Sequence, residues 1–171
     1  MSAMTLPTRA GWRAAVPYFG LALLVILADQ SVKSWIAELI LDPPRRIDIT
    51  GFFSLTPVWN RGVSFGLFAT DAKFGAIVLS VVALAVSLGL TIWLLRLNRT
   101  LPRVALGLVI GGALGNVIDR LTIGAVFDFL DFHVAGWHWP AFNVADAAIC
   151  IGVGLLLLDG LSGADDSHKS A

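Results

Sequence analysis

Long runs of apolar residues alternate with short polar segments along the chain. A helix that spans a membrane needs about 20 mostly apolar residues. Four stretches reach or approach that length, at residues 16–37, 74–95, 104–119 and 142–158. We therefore predict four transmembrane helices. The first stretch follows Arg9 and Arg13 and resembles a signal sequence, but it is too long and no small-residue cleavage site follows it, so we expect an uncleaved anchor.

Four spans place both termini on the same side of the membrane. The polar segments on that side are residues 1–15, 96–103 and 159–171, whereas the longer segments 38–73 and 120–141 lie on the other side. Lysine and arginine are slightly more frequent on the side of the termini, which is the bias typical of cytoplasmic segments. We expect cytoplasmic termini and two extracytoplasmic segments.

The first extracytoplasmic segment carries a pattern typical of strands. Apolar and polar residues alternate at Ile47 and Ile49 and again from Val63 to Leu67, and the tripeptide NRG at 60–62 predicts a turn between the two parts. We predict a small β-sheet that lies on the outer membrane surface, and a loop over residues 120–141. The fold class is an all-α membrane protein with four transmembrane helices and this small sheet, forming one integral membrane domain over residues 1–171.

Composition agrees with this class and excludes several others. Hydrophobic residues make up 57% of the chain, charged residues only 14%, and the mean hydropathy is +0.81. Twelve basic and twelve acidic residues cancel, so nothing indicates a nucleic-acid partner. The single cysteine, Cys150, excludes an internal disulfide; no base is placed to generate its thiolate, and we expect it to pack as a small apolar residue. We expect no metal and no cofactor.

Charged and amide side chains inside the predicted spans are costly and usually mark a functional site. They are Asp29 and Lys33 late in the first helix, Asn116, Asp119 and Arg120 late in the third, and Asn143 and Asp146 at the start of the fourth. Because successive helices run in opposite directions, all of them lie near the outer face. On each helix they are three or four residues apart and share one side. The segment FDFLDF, residues 127–132, joins the last two helices, so Asp128 can reach the same layer.

Five short blocks in these regions carry a family resemblance. They are DQSVK at 29–33, NRGVSFG at 60–66, GGALGNVIDR at 111–120, VFDF at 126–129 and FNVAD at 142–146. In this order, they resemble bacterial lipoprotein signal peptidase, the type II signal peptidase, over residues 16–159. One block alone would be a weak signal, whereas five together are very specific.

The resemblance implies an aspartyl endopeptidase of the bacterial cytoplasmic membrane, with its active site near the extracytoplasmic face. Its substrates would be prolipoproteins whose lipobox cysteine already carries diacylglycerol, and the cut would fall just before that cysteine. Asp128 and Asp146 would be the catalytic dyad. The supporting and substrate-binding positions would be Asp29, Lys33, Asn60, Gly62, Asn116, Asp119, Arg120 and Asn143. We expect membrane lipids as further partners and a monomeric protein.

A pair of aspartates suits peptide hydrolysis without a metal, because two carboxylates that share one proton can activate water and polarise the scissile carbonyl. Which aspartate holds the proton stays open at this stage. Phe127, Phe129 and Phe132 would lower the local dielectric and raise the pKa of at least one member of the pair. Asp131 lies outside the matching motif, and we expect it to be a solvated loop carboxylate.

Plainer roles stay open for several of these residues. Asp146 can cap the fourth helix together with Asn143, and Asp29 and Asp119 can each pair with Lys33 and join the first and third helices. The alternative functions are a small membrane transporter that uses the acids as a relay, and a lipid-binding scaffold. A relay needs charges through the full depth of the membrane, whereas the inner halves of all four predicted helices are apolar.

Overall fold

The computed structural model describes residues 9–62 and 72–168, and within them four helices are long and apolar enough to cross a membrane. They are α1 (Arg9–Ile40), α2 (Ala72–Arg96), α3 (Thr100–Ile123) and α4 (Val144–His168). The predicted four-helix membrane fold is confirmed. The helices extend past most ends of the predicted spans, because a hydrophobic run marks only the part suited to hydrocarbon, whereas backbone hydrogen bonding continues into the polar flanks.

Helix α3 is the centre of the bundle and contacts each of the other three helices. Its glycines allow this close approach. A Cβ on Gly111 would meet the backbone of Ala22 in α1, and a Cβ on Gly112 would meet the carbonyl of Ala145 in α4. The glycine-rich stretch of α3 is therefore a packing surface for two neighbours, as small residues commonly are in membrane helices.

Four antiparallel strands form one sheet in the order β1-β2-β3-β4. They are β1 (Ile47–Thr50), β2 (Phe53–Asn60), β3 (Val126–Val134) and β4 (Trp137–His138). The small sheet is confirmed, but the expectation of a loop over residues 120–141 is wrong, because α3 continues to Ile123 and β3 and β4 follow. The turn between β1 and β2 lies at Gly51 and Phe52, a turn that the sequence analysis did not predict. The predicted turn at NRG begins where β2 ends, at Asn60, and Gly62 has a positive φ of +72°. The expected second strand at 63–67 lies outside the described residues.

Strand β3 connects the sheet to the helices. It begins just after α3, which ends at Gly124 in the left-handed region with φ +76°. Leu130 in β3 pairs with Phe142, and this backbone pairing holds the start of α4 against the strand. Phe127 and Phe129 pack in a buried cluster with Ile36 of α1. The middle of β3 and the first turn of α4 are therefore held side by side at one end of the bundle.

Candidate active site

Asp128 and Asp146 are joined by a shared neighbour. Asp128 lies in β3, and Asp146 lies in the first turn of α4. The side-chain amide of Asn143 donates to Asp128 Oδ1 at 2.7 Å, while the backbone N–H of the same residue donates to Asp146 Oδ2 at 3.3 Å. Asn143 is fully buried. One residue thus orients a carboxylate on a strand and a carboxylate on a helix.

Asp128 is the more deeply buried member of the pair, with 1% of its surface exposed. Its second oxygen accepts a hydrogen bond of 3.0 Å from Asn60 Nδ2. The sheet register explains this contact, since Asp128 is paired with Val58, two residues from Asn60 on the same face of β2. Burial raises the pKa of Asp128 to about 6, and the Asp146 charge adds to this, whereas the hydrogen bonds from Asn60 and Asn143 and the charge of Lys33 oppose it.

Two of the three phenylalanines expected to lower the dielectric around the aspartates are placed to do so. Phe127 and Phe129 are buried and help to exclude water from the strand, in agreement with the raised pKa of Asp128. Phe132 is 40% exposed and stacks on Phe53 at the far end of the strand pair. It contributes little to the surroundings of Asp128.

Asp146 is half-buried and is fixed by two hydrogen bonds. Asn116 of α3 donates its side-chain amide to Oδ1 at 2.7 Å, and the other bond comes from the Asn143 backbone to Oδ2. The Asp146 N–H in turn donates to Asn143 Oδ1 at 3.0 Å. This reciprocal pair is a capping box at the start of α4. The capping role considered from the sequence is present, and the Asp146 carboxylate still lies close enough to Asp128 to interact with it electrostatically.

Lys33 is the centre of a buried ion-pair cluster beneath the two aspartates. Its ammonium lies 2.8 Å from Asp29 Oδ2 within α1 and 2.7 Å from Asp119 Oδ2 of α3. All three side chains are buried. The pairing of Lys33 with both acids joins α1 to α3. A weak contact of 3.5 Å to Asn116 Oδ1 also links the ammonium to the amides around the dyad.

Each acid of this cluster also holds a backbone N–H next to the dyad. Asp29 Oδ1 accepts from Ala145 N at 2.9 Å, and Asp119 Oδ2 accepts from Phe127 N at 3.0 Å. Ala145 directly precedes Asp146, and Phe127 directly precedes Asp128. Lys33 therefore pairs with two carboxylates, and each carboxylate accepts a hydrogen bond from the backbone N–H of the residue that precedes Asp146 or Asp128.

Gln30 belongs to the same cluster and is missing from the site predicted by the sequence. Its amide donates to Asp29 Oδ2 at 3.1 Å and to Asp119 Oδ1 at 2.9 Å, and so connects the two acids a second time. The spacing of three residues between Gln30 and Lys33 places them on one side of α1 and was the available signal. Gly115 leaves room for this arrangement, because a Cβ there would come within 2.9 Å of Asp29 Oδ2.

Three further predicted site residues, Asn60, Gly62 and Arg120, are linked to the two aspartates directly or through a neighbour. The side-chain oxygen of Asn60 accepts a hydrogen bond of 2.9 Å from the Gly62 N–H. Gly62 has φ +72°, and a Cβ there would overlap Leu79. The positive φ favours glycine, whereas the close atom of Leu79 is a terminal methyl group that can move. Arg120 donates weakly to the Asn116 carbonyl at 3.5 Å and interacts electrostatically with Asp146, Asp119 and Asp128, so it supplies positive charge beside the dyad.

Asp131 is not a solvated loop carboxylate, and the expectation from sequence is wrong. It lies in β3 with 5% of its surface exposed. His138 Nδ1 lies 2.8 Å from Oδ1, and Ser54 donates to Oδ2 at 3.2 Å. Burial alone would raise its pKa, but the hydrogen bonds from His138 and Ser54 and the charges of His138 and Arg46 hold the pKa of Asp131 below its ordinary value. Asp131 ties β4 and β2 to β3, away from the Asn143 contacts.

Cys150 is exposed on α4, so the expected packing role is wrong. Within residues 9–62 and 72–168 the histidine, cysteine and acidic side chains form no group of three or more suited to a metal ion. Asp128 and Asp146 form a pair of carboxylates that accept hydrogen bonds from asparagine residues. Such a pair binds one proton and can act as acid and base together.

Comparisons with known proteins give the family of the chain. A family model described as signal peptidase (SPase) II matches residues 21–162. A lipoprotein signal peptidase from Methylorubrum extorquens (strain PA1) is 48% identical over 145 residues, which cover 82% of this chain and 84% of the relative. A lipoprotein signal peptidase from Methylobacterium radiotolerans is 45% identical over 159 residues, covering 91% and 88%. A third, from Burkholderia thailandensis, is 43% identical over 149 residues, covering 86% and 89%.

Two solved structures share the fold. Both are described as bacterial membrane enzymes determined by the in meso method, one at 2.3 Å and one at 1.9 Å. The first has a TM-score of 0.73 and 27% identity and covers 88% of this chain and 90% of that chain. The second has a TM-score of 0.70 and 26% identity, covering 85% and 92%.

Proposed function

The chain belongs to the signal peptidase II family, a family of membrane proteases that remove signal peptides from prolipoproteins, and from this premise we propose that Asp128 and Asp146 are its catalytic dyad. The observation that carries the proposal is the pair of hydrogen bonds from Asn143, one to each aspartate. Such preorganisation fixes two carboxylates before substrate arrives. The enzyme is then an aspartic endopeptidase of the bacterial membrane.

In the proposed mechanism the dyad holds one proton once substrate is bound, and we assign this proton to Asp128. Burial raises the pKa of Asp128 to about 6, and water leaving the site when substrate binds raises it further. Ionised Asp146 takes a proton from water, and the resulting hydroxide attacks the scissile carbonyl while Asp128 donates a hydrogen bond to its oxygen. The tetrahedral intermediate collapses, the C–N bond breaks, and the proton taken by Asp146 passes to the leaving nitrogen.

The supporting residues fall into two groups in this proposal. Lys33, Asp29 and Asp119 position the dyad through the peptides that precede each aspartate, and Asn116 and Asn143 orient the carboxylates. Asn60, Gly62 and Arg120 lie beside the dyad, and we propose that they contact the substrate backbone. All these residues come from one chain, and we propose that the monomer is the active unit.

The proposed substrate is a prolipoprotein with a diacylglyceryl group on its lipobox cysteine, cut just before that cysteine. This assignment is supported by the position of the dyad at the end of apolar helices, where acyl chains can stay in the leaflet while the peptide reaches the carboxylates. We further propose that the termini are cytoplasmic and the sheet extracytoplasmic, since Arg13, Arg96 and Arg99 lie at the end of the bundle opposite the sheet.

A relay function is disfavoured by the middle of the bundle. The stretch of α3 from Val104 to Gly115 contains only apolar residues and glycine, and it separates Arg103 from Asn116 by about 20 Å along the helix. A proton or ion would have no ionisable side chain of α3 to use over that distance. The transporter alternative therefore receives no support from this helix.

Cleavage of two matched peptides by the purified protein tests the proposed substrate. One peptide carries diacylglycerol on the lipobox cysteine, and the other carries the free thiol. We expect the lipidated peptide to be cut, with product masses that place the cleavage just before the cysteine. Equal cleavage of the unmodified peptide, or a cut at another bond, would contradict this assignment.

The proposed orientation in the membrane is tested with Asp48→Cys in a Cys150→Ser background. The new cysteine should react with an impermeant maleimide added outside the cytoplasmic membrane.

A further inference from the structure

A basic cavity of about 620 Å³ opens at the end of α2 and α3 nearest the sheet. Three cationic side chains line it, namely Arg61, Lys73 and Arg120. None of the described residues that line the cavity is acidic. Positive charges around one space repel each other, so an anion bound between Arg61 and Arg120 would be favoured. Arg120 also interacts electrostatically with Asp146, Asp119 and Asp128, but none of these carboxylates lines the cavity.

Arg120 provides a second, independent observation. Its Nε is buried and has no hydrogen-bond partner, and its terminal nitrogen makes only the long contact to the Asn116 carbonyl. A buried N–H without an acceptor is costly, and guanidinium groups bind phosphate oxygens with two parallel hydrogen bonds. The geometry of the cavity therefore suits a phosphate ester better than it suits an isolated small cation or a neutral group.

The remaining lining residues indicate how such a ligand is held. Ile77, Leu121 and Ile123 line the cavity, and all three are exposed on the surface of helices that span the membrane. A cavity with cations at the mouth and apolar side chains on lipid-facing helices matches a phosphate that carries acyl chains. A free phosphate would gain nothing from these three residues.

We propose that this cavity, which we call the basic cavity, binds the phosphodiester headgroup of an anionic phospholipid from the same leaflet, with the acyl chains lying along α2 and α3. The ligand is distinct from the proposed diacylglyceryl substrate, which carries no phosphate. The assignment of the dyad does not depend on this phospholipid, and phospholipid binding is measured without any cleavage. The two proposals can therefore fail separately.

The test is native mass spectrometry of the purified full-length protein in a zwitterionic detergent, titrated with phosphatidylglycerol or with phosphatidylcholine of the same acyl chains. The variant is Arg61→Gln with Lys73→Gln. The matched control is Arg13→Gln with Arg96→Gln, which removes two exposed charges at the opposite end of the bundle. Arg120 is left unchanged because it lies beside the dyad. Phosphatidylcholine binding and the thermal unfolding midpoint report whether each variant is folded.

We expect the unaltered protein to prefer phosphatidylglycerol. The cavity variant should bind it about tenfold more weakly, at the level of phosphatidylcholine, while the control keeps the preference. Equal binding of the two lipids by the unaltered protein would overturn the proposal. A preference retained in the cavity variant or lost in the control would do so as well. In a final competition experiment, soluble glycerol 3-phosphate is added to the protein bound to phosphatidylglycerol. Displacement of phosphatidylglycerol by an equal concentration of glycerol 3-phosphate would overturn the lipid assignment in favour of a free phosphate ester.

Discussion

Replacing Asp128 with asparagine should abolish the proposed chemistry and at the same time stabilise the protein at neutral pH. In the folded protein, burial raises the pKa of Asp128 from an ordinary value of 3.8 to about 6. Below about pH 4 the carboxyl is protonated in both the folded and the unfolded chain. Above about pH 6 it is ionised in both, and the folded state carries the full cost of a buried charge. The free energy of unfolding therefore falls as pH rises through this window.

The size of the effect follows from the shift. A difference of about 2 pKa units corresponds to about 3 kcal/mol, because each unit is worth about 1.4 kcal/mol. An asparagine at position 128 would recover only part of this free energy, because it can accept a hydrogen bond from only one of Asn60 and Asn143, whose amides both donate to Asp128. We therefore expect a gain of about 1 to 2 kcal/mol for Asp128→Asn above pH 6, and none below pH 4.

The assay is thermal unfolding in detergent, monitored by tryptophan fluorescence between pH 4 and 8. At each pH, the unfolding midpoint of the unaltered protein is subtracted from that of the variant. Taking the difference removes the contribution of every other titrating group. We expect the difference in unfolding midpoint to grow with pH between about 4 and 6 and to be constant above that. A difference that is independent of pH, or one that grows on acidification, would refute the burial argument for Asp128.

Three further substitutions test other parts of the structure. Lys33→Met leaves two buried carboxylates without their cation, so we expect a loss of about 3 to 5 kcal/mol in unfolding free energy. We also expect kcat to fall by more than any change in KM, with partial rescue in Lys33→Arg. An unchanged kcat in a folded Lys33→Met variant would contradict the positioning role. Gly62→Ala should cost about 1 kcal/mol and raise KM, because a residue with a Cβ is strained at φ +72°; wild-type stability would argue against that backbone geometry. Asp131→Asn should lower stability by about 1 kcal/mol near neutral pH, because the pKa of this carboxyl is lowered in the folded state. The difference should begin to shrink as the pH falls through the ordinary pKa of the carboxyl and should vanish only below its lowered folded-state pKa; a loss that persists there would contradict the assignment.

The helices and the polar sides of the site could be predicted from local patterns. Apolar runs define the four spans, and spacings of three or four residues place Asp29 with Lys33 and Asn143 with Asp146. These features depend only on neighbouring residues along one helix. The pairing of Lys33 with Asp119 was also accessible, because both lie at the same depth in adjacent spans.

The sheet and the environment of Asp131 depend on contacts between distant parts of the chain. Strand β3 forms because it pairs with β2, about 70 residues earlier, and no local pattern names that partner. Asp131 is buried because Ser54, 77 residues away, and His138 supply hydrogen bonds. The segment FDFLDF does not by itself distinguish the environments of Asp128 and Asp131. The register of β3 against β2 places Asp128, rather than Asp131, against Asn143.

The same pair of aspartates offers the most direct test of the proposed dyad. Initial rates of cleavage of a diacylglyceryl-modified prolipoprotein peptide should be compared for the unaltered protein, Asp128→Asn, Asp146→Asn and the control Asp131→Asn, which removes a buried carboxylate from the same strand. We predict a loss of about a hundredfold to ten-thousandfold for each of the first two variants and a rate close to that of the unaltered protein for the control. A near-normal rate for folded Asp128→Asn or Asp146→Asn would contradict the account, as would an equal loss in Asp131→Asn.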